Sequence, residues 1–134
     1  MLRTRIAALA LAAMAAHAAG RFEQVASYRG VGSLVASAVG PGPGEGSRRL
    51  YLSYLYVDNT LEVVAVDPDT AKFQVFPNPA PREWGARAMA VAPDGKVYLG
   101  TLPGARILQL DPKKGSLADL GRPSASEQYI WELT

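Results

Sequence analysis

The chain has no cysteine, and its one histidine, His17, lies close to the N-terminus. Without cysteine there are no disulfides, so packing and strand pairing must hold the fold together. A Ser-His-Asp or Cys-His nucleophile system needs histidine as its base. A zinc site of the usual kind needs cysteine or histidine ligands. Neither can be assembled from the residues beyond His17. An excess of charge is missing too. The chain carries 14 basic and 12 acidic residues, but Arg3 and Arg5 account for the difference, so residues 19–134 hold 12 of each and are neutral. Nucleic-acid binding needs positive charge focused on one face, and no basic stripe supplies it here. Glycine-rich signatures of nucleotide sites are also incomplete. Gly30 and Gly32 lack the third glycine of a dinucleotide fingerprint, and the run from Gly40 to Gly46 lacks the lysine of a phosphate loop. Both read as turns, and no cofactor is expected.

What is present begins with a leader. Arg3 and Arg5 precede an uncharged apolar run from Ile6 to Ala16, and Ala16 and Ala18 place small residues where a signal peptidase reads them. That is the layout of a secretory signal peptide over residues 1–18. An uncleaved anchor is the competing reading. A spanning helix takes about 20 apolar residues, and the shorter, alanine-dominated run favours cleavage. The expectation is a protein of the periplasm or the cell exterior, with no membrane span after cleavage.

The rest of the chain repeats. Tyr51 and Leu52 match Tyr98 and Leu99 at an offset of 47, Asp67 and Pro68 match Asp111 and Pro112 at 44, and Trp84 matches Trp131 at 47. Length changes confined to loops, with strand cores kept, are how repeated units diverge. Each copy reads as four short strands. The first runs 33–39, 49–55, 61–66 and 72–76, with a swollen first turn over 40–47. The second runs 87–92, 96–101, 106–110 and 116–120. In it Val97, Leu99 and Thr101 share one face and Lys96, Tyr98 and Gly100 the other. Pro93, Asp94 and Gly95 mark a tight turn, since Asp-Gly tolerates the positive φ of a two-residue hairpin.

A period near 47 with four strands per unit is the signature of a β-propeller blade, the alternative being an antiparallel sandwich. The segment "MAVAPDGKVYLGTLPGARILQLDPKKG", Met89 to Gly115, resembles blades of the bacterial propeller superfamily that includes NHL, YVTN, gluconolactonase-like and virginiamycin-lyase-like proteins. The carrying cues are Pro-Asp-Gly before an apolar residue and Tyr98, Gly-Thr after it, and Asp-Pro-x-x-Gly before the outer strand. The resemblance spans about 33–134 and implies an all-β fold of propeller blades. It places a first blade at 33–82, a second at 83–123 and the start of a third at 124–134, with residues 19–32 as a possible closing strand. Propellers close with about four to eight blades, so the remaining blades must come from a longer chain or from other copies. The abrupt end inside a strand favours the longer chain.

Candidate chemistry follows from that layout. Asp67, Asp69 and Asp111 are oxygen ligands of the sort calcium takes, but Asp-Pro between third and fourth strands is first of all turn chemistry. The resemblance puts the ligand rim at the loops after the second strands and between blades. There it gathers Tyr56, Asp58, Asn59, Trp84, Arg87, Thr101, Arg106 and Tyr129. Aromatics beside arginine and carboxylates suit a small polar ligand or a protein partner. The two tryptophans, being periodic, read equally as packing between blades, whereas Asp58 and Arg106 break the repeat. Two functions remain open: an exported binding or scaffolding module, or the N-terminal part of a lactonase-like or lyase-like enzyme whose catalytic groups lie in further blades.

Overall fold

The computed structural model describes residues 32–56 and 60–134, together with Gln24 and Ser27. The expected leader, most of the segment 19–32, and the candidates Asp58 and Asn59 lie outside the described residues. Among those described, every helix-or-strand element is a strand. In chain order they are β1 (Ser33–Pro41), β2 (Arg48–Leu55), β3 (Glu62–Val66), β4 (Phe73–Phe76), β5 (Gly85–Val91), β6 (Val97–Leu102), β7 (Ile107–Asp111) and β8 (Ser116–Gly121). They form two antiparallel four-stranded sheets, ordered β1-β2-β3-β4 and β5-β6-β7-β8. All eight expected strands are present, their ends displaced by two residues at most.

The turns explain why the meanders close where they do. Asp67 Oδ1 accepts the amide N–H groups of Asp69 and Thr70 at 3.0 and 3.1 Å. Asp111 Oδ1 does the same for Lys113 and Lys114 at 3.0 and 3.1 Å. The repeated Asp-Pro pair thus builds the same Asx-type turn twice, which accounts for both aspartates. The Pro93–Gly95 turn is one residue longer than the expected hairpin. Gly95 donates to the Ala92 carbonyl and Ala92 to that of Lys96, both at 2.9 Å, with Gly95 at φ +83°. This three-residue loop ends in the left-handed conformation that glycine adopts without steric cost.

The second and third strands of the two sheets have the same register. Leu52 pairs with Val64 as Leu99 pairs with Leu108, and Tyr51 with Ala65 as Tyr98 with Gln109. Each first strand also carries one extra residue at the same place, Val35 in β1 and Arg87 in β5, where the pairing skips. The sheets pack face to face, with β5 lying against β1 and β2. Sheet 1 contributes Tyr51, Val63, Ala65 and Phe76 to the shared core, and sheet 2 contributes Val97, Leu99, Leu108 and Leu110. All four from sheet 2 are fully buried, each contributing about 1.5–3 kcal/mol by leaving water. Burial pushes the Tyr51 phenol above its ordinary pKa against the opposing charge of Arg49, and the hydroxyl donates to the Pro41 carbonyl.

These two core faces are not equivalent in the repeat. Tyr51, Val63 and Ala65 correspond to Tyr98, Ile107 and Gln109, which lie on the face of sheet 2 turned away from sheet 1. Conversely, Val97, Leu99, Leu108 and Leu110 correspond to Leu50, Leu52, Val64 and Val66 on the far face of sheet 1. There Leu52, Val64 and Val66 form a second cluster, beside exposed Phe73 and Val75. The joint therefore sets one kind of face against the other. Leu120, 44 residues on from buried Phe76, is 54 % exposed.

Residues 122–134 form no strand, unlike the expected third opening at Tyr129. The segment instead lies on sheet 2: Ile130 N–H donates to the Thr101 carbonyl at 3.3 Å, and its side chain covers Gly100, where a Cβ would come within 2.3 Å of it. Gly100 pairs with Ala88 as Ser53 pairs with Ala36, and Ser53 Oγ accepts the Ala86 N–H at 3.0 Å. Ile130 thus occupies the place on sheet 2 that Ala86 takes on sheet 1. By contact the spacing here is 44, so Trp131 corresponds to Arg87 rather than to Trp84. Matching tryptophan to tryptophan hid this, because no gap in the sequence marks the shift.

Candidate functional site

The loops at one end of the two sheets are the β2–β3 loop, the 77–84 connection, the β6–β7 loop and the residues after β8. The connection is tied to both sheets through its backbone. Tyr56 N–H donates to the Trp84 carbonyl at 2.8 Å, Leu61 N–H to that of Glu83 at 2.7 Å, and Trp84 N–H to that of Leu102 at 2.8 Å. The Tyr56 hydroxyl donates to Glu62 Oε1 at 3.2 Å. The backbones of Tyr56 and half-buried Trp84 therefore tie the joint between the sheets.

Two side-chain clusters flank this joint. In the first, Arg87, projected by the β5 bulge, lies over the Trp131 ring with its guanidinium carbon 4.9 Å from the centroid. Tyr129 stacks on the same tryptophan at 5.6 Å. Trp131 is 65 % exposed and Tyr129 40 %. An arginine over an indole is favoured electrostatically, and the cluster leaves an open aromatic surface.

The second cluster is built around Glu83, whose residue is only 3 % exposed. Its Oε2 accepts the Thr101 hydroxyl at 2.6 Å and the Gly104 N–H at 3.0 Å. Thr101, itself fully buried, also takes the Arg106 N–H at 2.9 Å. Arg106 Nε donates to Asp119 Oδ2 at 2.6 Å. Asp119 in turn caps the Gly121 amide at 2.8 Å. Glu83, Gly104, Arg106 and Asp119 border a cleft of about 500 Å³, lined also by Pro79, Pro81 and Pro103 and by Arg82 and Arg122. Larger clefts, about 760 and 610 Å³, lie at the opposite ends of the strands, along the 40–48 loop and the Pro93–Gly95 turn. The first is lined largely by the glycines and prolines of the 40–48 loop, and the second adds Asp94, Lys96, Asp111 and Lys113, whose aspartates are engaged in their own turns.

Of the sequence candidates, Thr101 and Arg106 meet in the Glu83 cluster and Arg87 and Tyr129 meet at Trp131; the two groups are separate. Arg82, Asp119 and Arg122 carried no signal in the sequence beyond being charged residues near turns. Glu83 lies in the segment between the two sheets, and its burial depends on partners 18 and 21 residues away. Among the described residues no group of three or more His, Cys, Asp or Glu side chains is arranged to hold a metal ion, and no helix is long and apolar enough to cross a membrane. Compared with protein-family models, curated proteins and solved structures, the chain matches none of them.

Proposed function

We propose that this chain is an exported pair of β-propeller blades that serves as a ligand- or protein-binding module, its rim presenting the binding groups. The observation that carries this reading is the correspondence of unlike faces. The face sheet 1 buries against sheet 2 recurs on the outer side of sheet 2, where its counterparts Tyr98, Ile107 and Gln109 have no second sheet among the described residues. Blades bury such faces against neighbours, so a further sheet, from the same polypeptide or another copy, belongs there. Ile130 lying where Ala86 lies supports the same succession. Polar groups gathered on the rim, with an open aromatic surface beside a charged cleft, suit recognition of a polar ligand or a protein segment.

The test is association. The full chain, expressed with its leader and recovered after export, should show a new N-terminus near Ala19 by mass spectrometry. In light scattering over a range of concentrations it should form a defined oligomer or aggregate. A cooperative monomer that persists on dilution would sink the blade reading, and an intact Met1 would end the export reading.

A further inference from the structure

Each outer face of the molecule reproduces one half of the joint between the sheets. At that joint, sheet 1 offers the small residues Ala36, Ala38 and Gly40 of β1 beside Tyr51 and Val63, and β5 packs on this face. The approach is close: a Cβ on Gly40 would lie 3.1 Å from a Val91 methyl and 3.2 Å from the Tyr51 ring. The same pattern stands on the outer face of sheet 2. Ala88 and Ala90 of β5, and Ala92 just past it, lie beside Tyr98 and Ile107. The other half of the joint stands on the outer face of sheet 1. Val39 there corresponds to Val91, and Leu50, Leu52, Val64 and Val66 correspond to the four residues that sheet 2 buries. Val39 is 55 % exposed. Among the described residues, neither half has its mate.

We propose that the two outer faces bind each other between copies: the outer face of sheet 2 receives the outer face of sheet 1 of a second copy, in the register of the existing joint. Val39 of the second copy then sits against Ala92 and Tyr98, as Val91 sits against Gly40 and Tyr51. Apolar surface leaving water on both faces supplies the attraction. Residues 129–131 compete for one corner of this contact. Ile130 lies over Gly100, in the place that Ala86 takes on sheet 1, and the counterpart of Ala86 in the arriving copy is Leu34. The backbone bond of this segment to sheet 2 is long, at 3.3 Å, and Leu34 displaces it. This rests on the reading of the sheets as blades, and adds to it the occupant of both faces and the register of contact.

Cysteine cross-linking tests it, because the chain has no thiol of its own. Gly40→Cys with Val91→Cys in one chain is the control: these positions face each other across the joint, and oxidation should close a disulfide within the monomer. Val39→Cys and Ala92→Cys are then placed in separate exported full chains and oxidised, alone and mixed. The mixture should give a cross-linked pair that neither variant gives alone. Ile130→Gly, added to both chains, should lower the concentration at half cross-linking about tenfold, a factor that corresponds to about 1.4 kcal/mol. Cross-linking of Val39→Cys to itself in preference to Ala92→Cys would overturn the proposed contact, as would a mixture that associates in light scattering without cross-linking. Either result leaves the blade reading standing. A mixture that stays monomeric at every concentration would overturn the contact and the blade reading together. A midpoint unchanged or raised by Ile130→Gly would overturn the displacement of residues 129–131.

Discussion

Glu83 and Gly104 share a space that admits one carboxylate and no methyl group. Gly104→Ala drives a carbon into Oε1 and forces either the glutamate or the β6–β7 loop to shift. Overpacking of this sort costs about 1–3 kcal/mol, to be read as a lower urea midpoint with an unchanged slope. At the turns the effect is one of protonation. The Asp67 carboxyl is held below its ordinary value of 3.8, first by the Thr70 amide bond, then by the Asp69 amide. A depressed folded pKa means that the charged form stabilises the fold. That contribution is complete above the unfolded value of 3.8 and disappears as pH falls through the lower, folded one. The melting-temperature gap between wild type and Asp67→Ala should therefore stay constant at neutral pH and close in acid. A gap that persisted in strong acid would show that the carboxylate bonds do not stabilise the turn. Asp94, held low by its bond from the Lys96 side chain, should follow the same sign.

Phe76 and Leu120, large apolar residues near the ends of the two fourth strands, differ sharply in burial, one 3 % exposed on β4 and the other 54 % exposed on β8. Phe76→Ala should cost about 3–5 kcal/mol, as large-to-small changes in a core do. Leu120→Ala should stay within about 0.5 kcal/mol when the protein is dilute, as surface changes do. Denaturant titration of both variants measures the difference. The strands themselves were legible because alternation and turn residues are local signals. Val97, Leu99 and Thr101 announce a buried face, and Asp-Pro and Asp-Gly announce where it stops. The bulges at Val35 and Arg87 were not legible, since neither residue differs in type from those that pair normally. The segment around Tyr129 has strand-like residues but no neighbouring strand to ladder with, and a strand is made by its partner. Thr101 and Arg106 were found as polar loop residues. Their organiser, Glu83, was not ranked with them, because its burial comes from a loop in the next sheet.

The whole molecule is governed by its joint of unlike faces. In the proposed assembly, a charge on either outer face should block the contact: Leu120→Glu on sheet 2, or Val75→Glu on sheet 1. Each variant still carries one intact face, so mixing the two should restore a single contact and yield pairs, while either alone stays monomeric in light scattering. Failure of the mixture to pair would show that the outer faces do not meet. The asymmetry of the joint has a further outcome. A surface that binds its own likeness is used up when two copies meet, whereas a head that binds a tail leaves a fresh head and a fresh tail after every addition. Affinity then sets only how readily units are added. The turn from one sheet to the next decides the rest: if it divides a full circle evenly, growth ends in a ring, and if it does not, growth continues as a filament.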